Sequence, residues 1–231
     1  MEQLLQTGLT QMGLPTEGIP SLMRYAELLV EKNKVMNLTA ITEPHDIATL
    51  HFLDSVAMLT LADLKGKKMA DVGTGAGFPG MPLRIVEPSL RLTLLDSLKK
   101  RIDWLSETLP ALEVPADCVS ARAEDFSGER REQFDMAVSR AVGRLNILSE
   151  LCLPLVKPGG CFLAMKALDS DLEISEAAGA IRQLGGTVEA IRDYPIPGTG
   201  TVRRAVIIRE EKPTPRQFPR RYAKIKQSPL R

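Results

Sequence analysis

The chain of 231 residues is 44% hydrophobic and 26% charged, and its formal net charge is +1. This length fits one main domain with an appendage, and the composition excludes an intrinsically disordered protein. No apolar run is long enough to span a bilayer, and the first residues lack the basic start and apolar core of a signal peptide. We therefore expect a cytoplasmic protein that contacts no membrane.

Residues 1–65 are predicted to form an N-terminal helical cap. Two apolar repeats at helical spacing support this prediction. The first contains Leu22, Tyr25, Leu28 and Leu29, and the second contains Ile47, Leu50, Leu53, Val56 and Leu59. His51 lies within the second repeat, and we predict a hydrogen-bonded core histidine there.

From residue 66 onward, short apolar runs alternate with helical stretches. This alternation predicts an α/β fold with a doubly wound, mainly parallel sheet of about seven strands over residues 66–211. The strands are predicted near residues 68–72, 91–95, 116–120, 134–138, 160–165, 187–193 and 203–209. The Lys-Pro-Gly-Gly turn at 157–160 is predicted to follow a helix that ends near Val156 and to lead into the fifth strand.

Residues 212–231 form a basic tail with seven Lys or Arg residues and no acid. Phe218 and Tyr222 lie among these cations, a pattern that suits phosphate contacts and stacking on unpaired bases. A merely solvated end is an equally good interpretation of the composition. The proline content and the lack of apolar periodicity favour a tail that folds on contact with RNA.

The sequence has only three cysteines and two histidines, which limits the metal and redox chemistry that it can support. The spacing of Cys118, Cys152 and Cys161 matches no zinc motif, and we expect three reduced core thiols. With only His45 and His51 as imidazole ligands, we predict no metal site.

Segment 69–80 reads as a short buried strand that runs into a glycine-rich turn. Gly73, Gly75 and Gly77 let the backbone approach a ligand without Cβ atoms in the way, as in the first βα turn of a doubly wound fold. The spacing is GxGxG, whereas a dinucleotide-binding turn has GxGxxG. Phe78 stands where that third glycine belongs, which weakens the prediction of a nicotinamide cofactor.

In an open α/β sheet, ligands bind outside the carboxyl ends of the strands. The predicted site therefore draws on five strand ends, namely 71–78, Asp96, Ala123 with Glu124, Ser139 with Arg140, and Lys166. Asp96 follows the glycine turn by about 20 residues, the separation at which a carboxylate accepts hydrogen bonds from ribose hydroxyls. Asp96 is also placed to cap the helix that begins near Leu98, and both interpretations stay open.

The glycine turn, the acid Asp71 two residues before it and the later Asp96 resemble the class I S-adenosylmethionine-dependent methyltransferases. Further strings narrow the resemblance to the bacterial small-subunit ribosomal RNA 7-methylguanosine methyltransferase G family, also called the glucose-inhibited division protein B family. The strings are Asn-Leu-Thr-Ala-Ile at 37–41, His-Phe-Leu-Asp-Ser at 51–55, the turn 73–80 with Phe-Pro-Gly at 78–80, Leu-Asp-Ser at 95–97, Ser-Arg-Ala at 139–141 and Phe-Pro-Arg-Arg-Tyr at 218–222. They occur in order and span nearly the whole chain.

The resemblance implies a Rossmann-like class I methyltransferase fold and transfer of the sulfonium methyl of S-adenosylmethionine to N7 of a guanine in 16S rRNA. The substrate would be the small ribosomal subunit or its precursor, and we expect a monomer. The implied cofactor-binding residues are Gly73, Gly75, Gly77, Phe78, Asp96, Ala123, Glu124 and Arg140. The implied catalytic, substrate-side residues are Arg140, Lys166 and Arg203.

Two of these assignments have alternatives. Arg203 is preferred to the adjacent Arg204 by register alone. Lys166 and Arg203 also fit ordinary surface charges at strand ends, which is the commonest fate of Lys and Arg.

Three other functions stay open from the residues. The same cofactor with a small-molecule or protein acceptor predicts activity that survives deletion of 212–231, whereas RNA binding predicts a steep dependence on salt. An NAD-dependent oxidoreductase is favoured by Asp96 but disfavoured by Phe78 and by the preceding cap. A non-catalytic RNA-binding module leaves the glycine turn without a role.

Overall fold

A seven-stranded sheet organises the protein, for which a computed structural model describes residues 1–140 and 143–231. The strands are β1 (Lys68–Val72), β2 (Arg91–Asp96), β3 (Asp117–Ser120), β4 (Phe134–Arg140), β5 (Val156–Ala167), β6 (Gly186–Pro195) and β7 (Val202–Glu210). Their order is β3-β2-β1-β4-β5-β7-β6, with β7 antiparallel to both neighbours and the other pairs parallel. The predicted α/β fold is confirmed, and each predicted strand overlaps an observed one.

The strand order reverses beside β1. From β1 the chain builds β2 and β3 on one side, and it then returns to place β4 on the other side. The carboxyl ends of β1 and β4 therefore flank the crevice in which open α/β sheets bind ligands. Ser139 Oγ on β4 donates to the carbonyl of Val72 on β1 at 2.8 Å and ties these two ends together.

Helices cover most of the predicted cap. Helices α1 (Glu2–Gln11) and α2 (Ile19–Met36) come first, and α2 ends at Asn37, which adopts the left-handed conformation with φ 48°. A second helical stretch runs through α3 (Pro44–Asp46), a π-helical segment (Ile47–Leu53), α4 (Asp54–Val56) and a 3₁₀ turn (Ala57–Thr60). Within the first predicted apolar face, the buried members are Leu22, Tyr25 and Leu29, and Leu28 is half-buried.

Two hydrophobic cores lie on opposite faces of the sheet. The cap packs together with α5 (Gly80–Val86) and α6 (Lys99–Leu112) into a cap-side core. The other face carries α7 (Ala123–Glu129), α8 (Leu145–Cys152) and α9 (Asp171–Leu184), which form the tail-side core. Consecutive strand residues point to opposite faces, so Met69 enters the cap-side core and Ala70 the tail-side core.

The Lys-Pro-Gly-Gly segment does not separate a helix from a strand, as was predicted. Helix α8 ends at Cys152 rather than near Val156, a single 3₁₀ turn (Leu153–Leu155) follows, and β5 already begins at Val156. The turn sits inside β5, where Gly159 has φ +83° and the register with β4 shifts. The glycines and the proline therefore mark an irregularity within a strand.

The basic tail is packed against the tail-side core. It contains helix α10 (Tyr222–Gln227), and the side chains of Phe218 and Ile225 are buried. Arg131 donates to the carbonyl of Phe218 at 2.7 Å. The prediction that the tail folds only on contact with RNA is wrong, because two apolar side chains and polar contacts attach it to the domain. Two isolated apolar residues do not produce a periodic pattern in the sequence, so the sequence did not reveal them.

The three cysteines carry no disulfide. Cys152 and Cys161 are buried and Cys118 is partly buried. Burial raises the pKa of the Cys161 thiol to about 11, so this thiol is protonated and unreactive at neutral pH.

Within residues 1–140 and 143–231, no group of three His, Cys, Asp or Glu side chains is arranged to hold a metal ion. No helix there combines the length and the apolar character needed to cross a membrane.

Candidate active site at the carboxyl ends of the strands

The glycine turn is held by the last residues of β1 and β2. The backbone N–H groups of Gly73 and Thr74 donate to the carbonyl of Leu95 at 2.8 and 3.0 Å. Asp71 Oδ2 accepts from Thr74 Oγ1 at 2.6 Å and from the N–H of Gly80 at 2.8 Å. Burial raises the pKa of the fully buried Asp71 to about 6, although these hydrogen bonds oppose the shift. Asp71 therefore stabilises the conformation of the turn through hydrogen bonds to Thr74 and Gly80.

The two later glycines of the turn face different surroundings. Both have positive φ, 60° at Gly75 and 88° at Gly77. A Cβ at Gly75 would approach only the carbonyl oxygen of Gly73, at 4.0 Å. A Cβ at Gly77 would overlap the Tyr25 hydroxyl and lie 2.8 Å from Met81 Cγ. Gly77 thus serves the packing of the cap onto the turn.

This difference predicts unequal costs for alanine at the two positions. We expect G75A to lower the free energy of unfolding by about 1 kcal/mol, through backbone strain alone. We expect G77A to lower it by at least about 3 kcal/mol, because overpacking adds to the same strain. Urea unfolding of both variants measures the losses, and equal losses would contradict the assigned packing role.

Asp96 connects the turn to the next helix. Its Oδ2 accepts from the N–H of Gly75 at 2.9 Å and its Oδ1 accepts from the N–H of Leu98 at 2.8 Å, next to the start of α6. Arg101 Nη1 lies 3.4 Å from Oδ2. The two interpretations left open by the sequence are compatible, because Oδ1 accepts only from Leu98 among the described residues and keeps a second lone pair for a ligand.

A cavity of about 360 Å³ lies at the carboxyl ends of β1–β4. Five of the predicted site residues line it, namely Gly73, Asp96, Ala123, Glu124 and Arg140. Val72, from the predicted segment 71–78, lines it as well. The remaining lining residues were not predicted for this site, and these are Leu95, Ser97, Leu98, Arg101, Ala121, Arg122, Leu151 and Tyr222. Two larger depressions lie at the opposite ends of the strands, away from the glycine turn.

Gly75, Gly77 and Phe78 are not among the lining residues of this cavity. Phe78 is buried, and its ring stacks on His51 with centroids 4.2 Å apart. The guanidinium of Arg140 also lies over the ring of Phe78, with Cζ 5.2 Å from the ring centroid. Phe78 therefore supports Arg140 from the cap-side core.

Arg140 is fixed by the π-helical segment of the cap and its neighbour α4. Its Nη1 donates to the carbonyl of Leu50 at 3.1 Å and to Asp54 Oδ2 at 3.0 Å. Its Nη2 donates to His51 Nδ1 at 3.2 Å. Asp54 Oδ1 in turn accepts from the hydroxyl of Tyr194 on β6 at 2.9 Å. We call Arg140, Asp54, His51 and Tyr194 the Arg140 network; it joins the cap to the sheet at the cavity.

The Arg140 contact sets the protonation of His51. Because a guanidinium only donates, Nδ1 accepts and Nε2 carries the proton toward Thr39 Oγ1, 2.8 Å away. Burial first, and the Arg140 charge second, lower the pKa of His51 to about 3. The prediction of a hydrogen-bonded core histidine is confirmed.

The low pKa of His51 predicts acid sensitivity. An unfolded histidine binds a proton near pH 6.5, whereas His51 in the folded protein stays neutral down to about pH 3. The contribution of His51 to stability is therefore fully present above about pH 6.5. Below that pH, this contribution to the free energy of unfolding falls by up to about 1.4 kcal/mol per pH unit. Asp71, with its raised pKa, acts in the opposite direction.

Comparison with H51Q isolates the histidine, because Asp71 is common to both proteins. Urea unfolding between about pH 6 and pH 4 should give a flatter pH dependence for H51Q than for the parent. Parallel curves would contradict the neutral, Arg140-bound histidine.

Lys166 is engaged by the protein itself. Its Nζ lies 2.6 Å from the carbonyl oxygen of Gly143 and 2.6 Å from Glu173 Oε1, and its side chain is 10% exposed. The neighbouring Ala141, the last residue of the Ser-Arg-Ala string, lies outside the described residues.

The two adjacent arginines on β7 point to opposite faces of the sheet. Arg204 forms a two-pronged pair with Asp193, at 2.6 and 2.9 Å, and a third bond to Asp171 at 2.7 Å. Arg203 pairs in register with Tyr194, so these two side chains share the face that carries the Arg140 network. Arg203 is thus the one oriented toward the candidate site.

The chain is similar to ribosomal RNA methyltransferases over most of its length. The model of the family described as rRNA small subunit methyltransferase G (GidB) matches residues 18–196. The chain is 44% identical to the ribosomal RNA small subunit methyltransferase G of Staphylococcus carnosus, over 89% of this chain and 88% of that one. It is 40% identical to the protein of the same name from Acetivibrio thermocellus, over 100% of this chain and 97% of that one.

Two solved structures from Thermus thermophilus share the fold. A branched-chain polyamine synthase, in complex with N4-aminopropylspermidine and 5'-methylthioadenosine, has a TM-score of 0.62 at 14% identity and covers 87% of this chain and 66% of its own. TrmN has a TM-score of 0.51 at 19% identity and covers 68% of this chain and 48% of its own. At these identities the likeness extends to the fold alone.

Proposed function

The chain belongs to the rRNA small subunit methyltransferase G family, and on that basis we propose that it transfers the methyl group of S-adenosylmethionine to N7 of a guanine in the 16S rRNA of the small ribosomal subunit. The observation that carries the proposal is the cavity at the carboxyl ends of β1–β4, bounded by the glycine turn, Asp96 and Arg140. The cavity offers space for a nucleoside-like cofactor beside the guanidinium of Arg140, at the point where the strand order of the sheet reverses.

The lining of the cavity fits S-adenosylmethionine. The carboxylates of Asp96 and Glu124 face it and suit a ribose diol and amino groups. Its walls also include the apolar side chains of Leu95, Leu98 and Leu151, which suit the faces of an adenine ring. When bound, this cofactor supplies an electrophilic methyl group.

Positioning explains the sparse acid–base chemistry of the site. Guanine N7 is an acceptor with an in-plane lone pair, so it needs no proton removed before it attacks. His51 is buried and committed to Arg140 and Thr39, and Asp71 is committed to the turn. These groups therefore hold the architecture, and orientation supplies the rate.

Arg140 keeps hydrogen-bonding capacity for a ligand. Of its five N–H groups, three are used by Leu50, Asp54 and His51. Among the residues that the structure describes, the Nε–H and one Nη2–H have no acceptor. We assign them to the cofactor or to the O6 and N7 edge of guanine.

Arg203 and the basic tail support an RNA acceptor. Arg203 shares the face of Tyr194 and of the Arg140 network, which suits a phosphate or a guanine edge. The tail adds exposed cations, including Arg221 and Lys224, close to Tyr222 in the cavity wall. Lys166 reaches a phosphate only if Glu173 releases it.

The test is incubation with tritiated S-adenosylmethionine and small ribosomal subunits from cells that lack the enzyme, followed by nucleoside analysis of the rRNA. We expect label in 7-methylguanosine, transfer that falls steeply with salt, and no label in large subunits. Cofactor binding without transfer would point to another acceptor. Absence of cofactor binding would refute the proposal.

A further inference from the structure

We propose that residues 218–230, the tail wall, close one side of the cofactor cavity and that Arg220 is the positioning residue that holds them there. The identity of the cofactor rests on the proposed function. The tail thereby acquires a role in binding the cofactor that is separate from any contact with RNA.

A buried ion pair anchors the tail wall to α8. Arg220 Nε and Nη2 donate to Glu150 Oε1 and Oε2 at 2.8 and 2.6 Å, and the backbone N–H of Arg220 donates to Oε1 at 2.9 Å. Glu150 is fully buried, and the Arg220 side chain is 16% exposed. A third arm of the guanidinium, Nη1, donates to the carbonyl of Ser228 at 3.0 Å, on the far side of α10.

The ion pair lies next to the cavity on both of its sides. Leu151, which follows Glu150 on α8, lines the cavity. Tyr222, two residues after Arg220, also lines it, and the backbone N–H of Tyr222 donates to Glu124 Oε1 at 3.3 Å. A single pair of charges thus fixes two lining residues relative to each other.

The geometry is that of a positioning device. A buried ion pair contributes little net stability compared with apolar packing, but it fixes one arrangement because each partner is costly to leave unpaired. The apolar anchors Phe218 and Ile225 already attach the segment to the core. The fork of Arg220 adds the orientation that brings Tyr222 to the cavity.

Calorimetric titration of the full chain with S-adenosylmethionine tests the wall. We expect R220Q and Y222A each to raise the dissociation constant roughly tenfold or more, and R220K to raise it less. The control R192A removes the same charge from an exposed position on β6, which contributes no residue to the cavity lining, and should bind as the parent does. Circular dichroism without ligand verifies that each variant is folded.

The outcomes separate the two proposals. If the parent protein itself fails to bind, the proposed function fails. If the parent binds and Y222A, whose ion pair is intact, binds equally well, the wall is refuted. If R220Q folds and binds equally well, the positioning role is refuted.

Trypsin cleavage of the parent protein provides a second test that does not depend on a variant folding. Cleavage after Lys224 and Lys226 requires the tail wall to open, so saturating S-adenosylmethionine should slow it several-fold. Cleavage at an unchanged rate would overturn the proposal.

Discussion

Replacing Asp96 with alanine is expected to raise the dissociation constant for S-adenosylmethionine about 100-fold, or about 2.7 kcal/mol. The carboxylate faces the cavity while it holds the N–H groups of Gly75 and Leu98. Its loss removes the charged acceptor for the ribose and releases the glycine turn at the same time. Calorimetric titration measures the change.

Asp103 provides the matched control for this experiment. It is an exposed acid on α6 that pairs only with Lys99, at 2.7 Å. D103A should bind S-adenosylmethionine within about twofold of the parent, because a screened surface pair contributes little. A D96A protein that binds within threefold of the parent would refute the ribose role of Asp96.

Replacing Asp54 with alanine is expected to lower the free energy of unfolding by about 3–5 kcal/mol. Asp54 is 2% exposed, and its two oxygens accept from Arg140 and Tyr194. Its loss leaves the Arg140 cation at a side chain only 15% exposed without its counter-charge. Thermal unfolding should show a midpoint lower by roughly 10 °C for a chain of this size.

Two further variants make the Asp54 result specific. D46A removes an exposed acid beside His45 and should change stability by no more than about 0.5 kcal/mol. In D54A/R140A the losses should be less than additive, because the unpaired cation is gone. A D54A protein within 1 kcal/mol of the parent would contradict the Arg140 network as a tie between cap and sheet.

The strands of the sheet could be predicted because each one is marked by a local sequence pattern. Short apolar runs that alternate with helical stretches predict parallel strands, and β1 to β5 followed that rule. The last strand, β7, follows β6 without a helix between them and is antiparallel to both of its neighbours. The Lys-Pro-Gly-Gly sequence was not predictable in the same way, because glycine and proline mark a helix end and a strand irregularity equally well. Only the register of β5 against β4 separates the two.

The candidate site was predictable where it lies at strand ends. Asp96, Arg140 and the glycine turn follow from the rule for open α/β sheets. The partners that fix Arg140 did not, since Asp54 and Tyr194 are 140 residues apart in the chain. An acid inside an apolar helical repeat was the available signal, because a buried charge requires a partner.

Tyr222 was assigned to RNA because it lies among cations. Composition identifies a surface suited to phosphate, but it does not identify which side chain turns inward. That choice is made by the buried Glu150 on α8, which no pattern in the tail reveals.

The position of the tail wall also orders the assembly of the protein during translation. All seven strands and the glycine turn precede residue 218 in the chain, so the tail wall is the last part of the cavity to be synthesised. Until residues 218–230 leave the ribosome, Glu150 lacks Arg220 and the cavity lacks the side formed by Tyr222. If the tail wall acts as proposed, a nascent chain that has not yet released residues 218–230 should bind the cofactor more weakly than one that has.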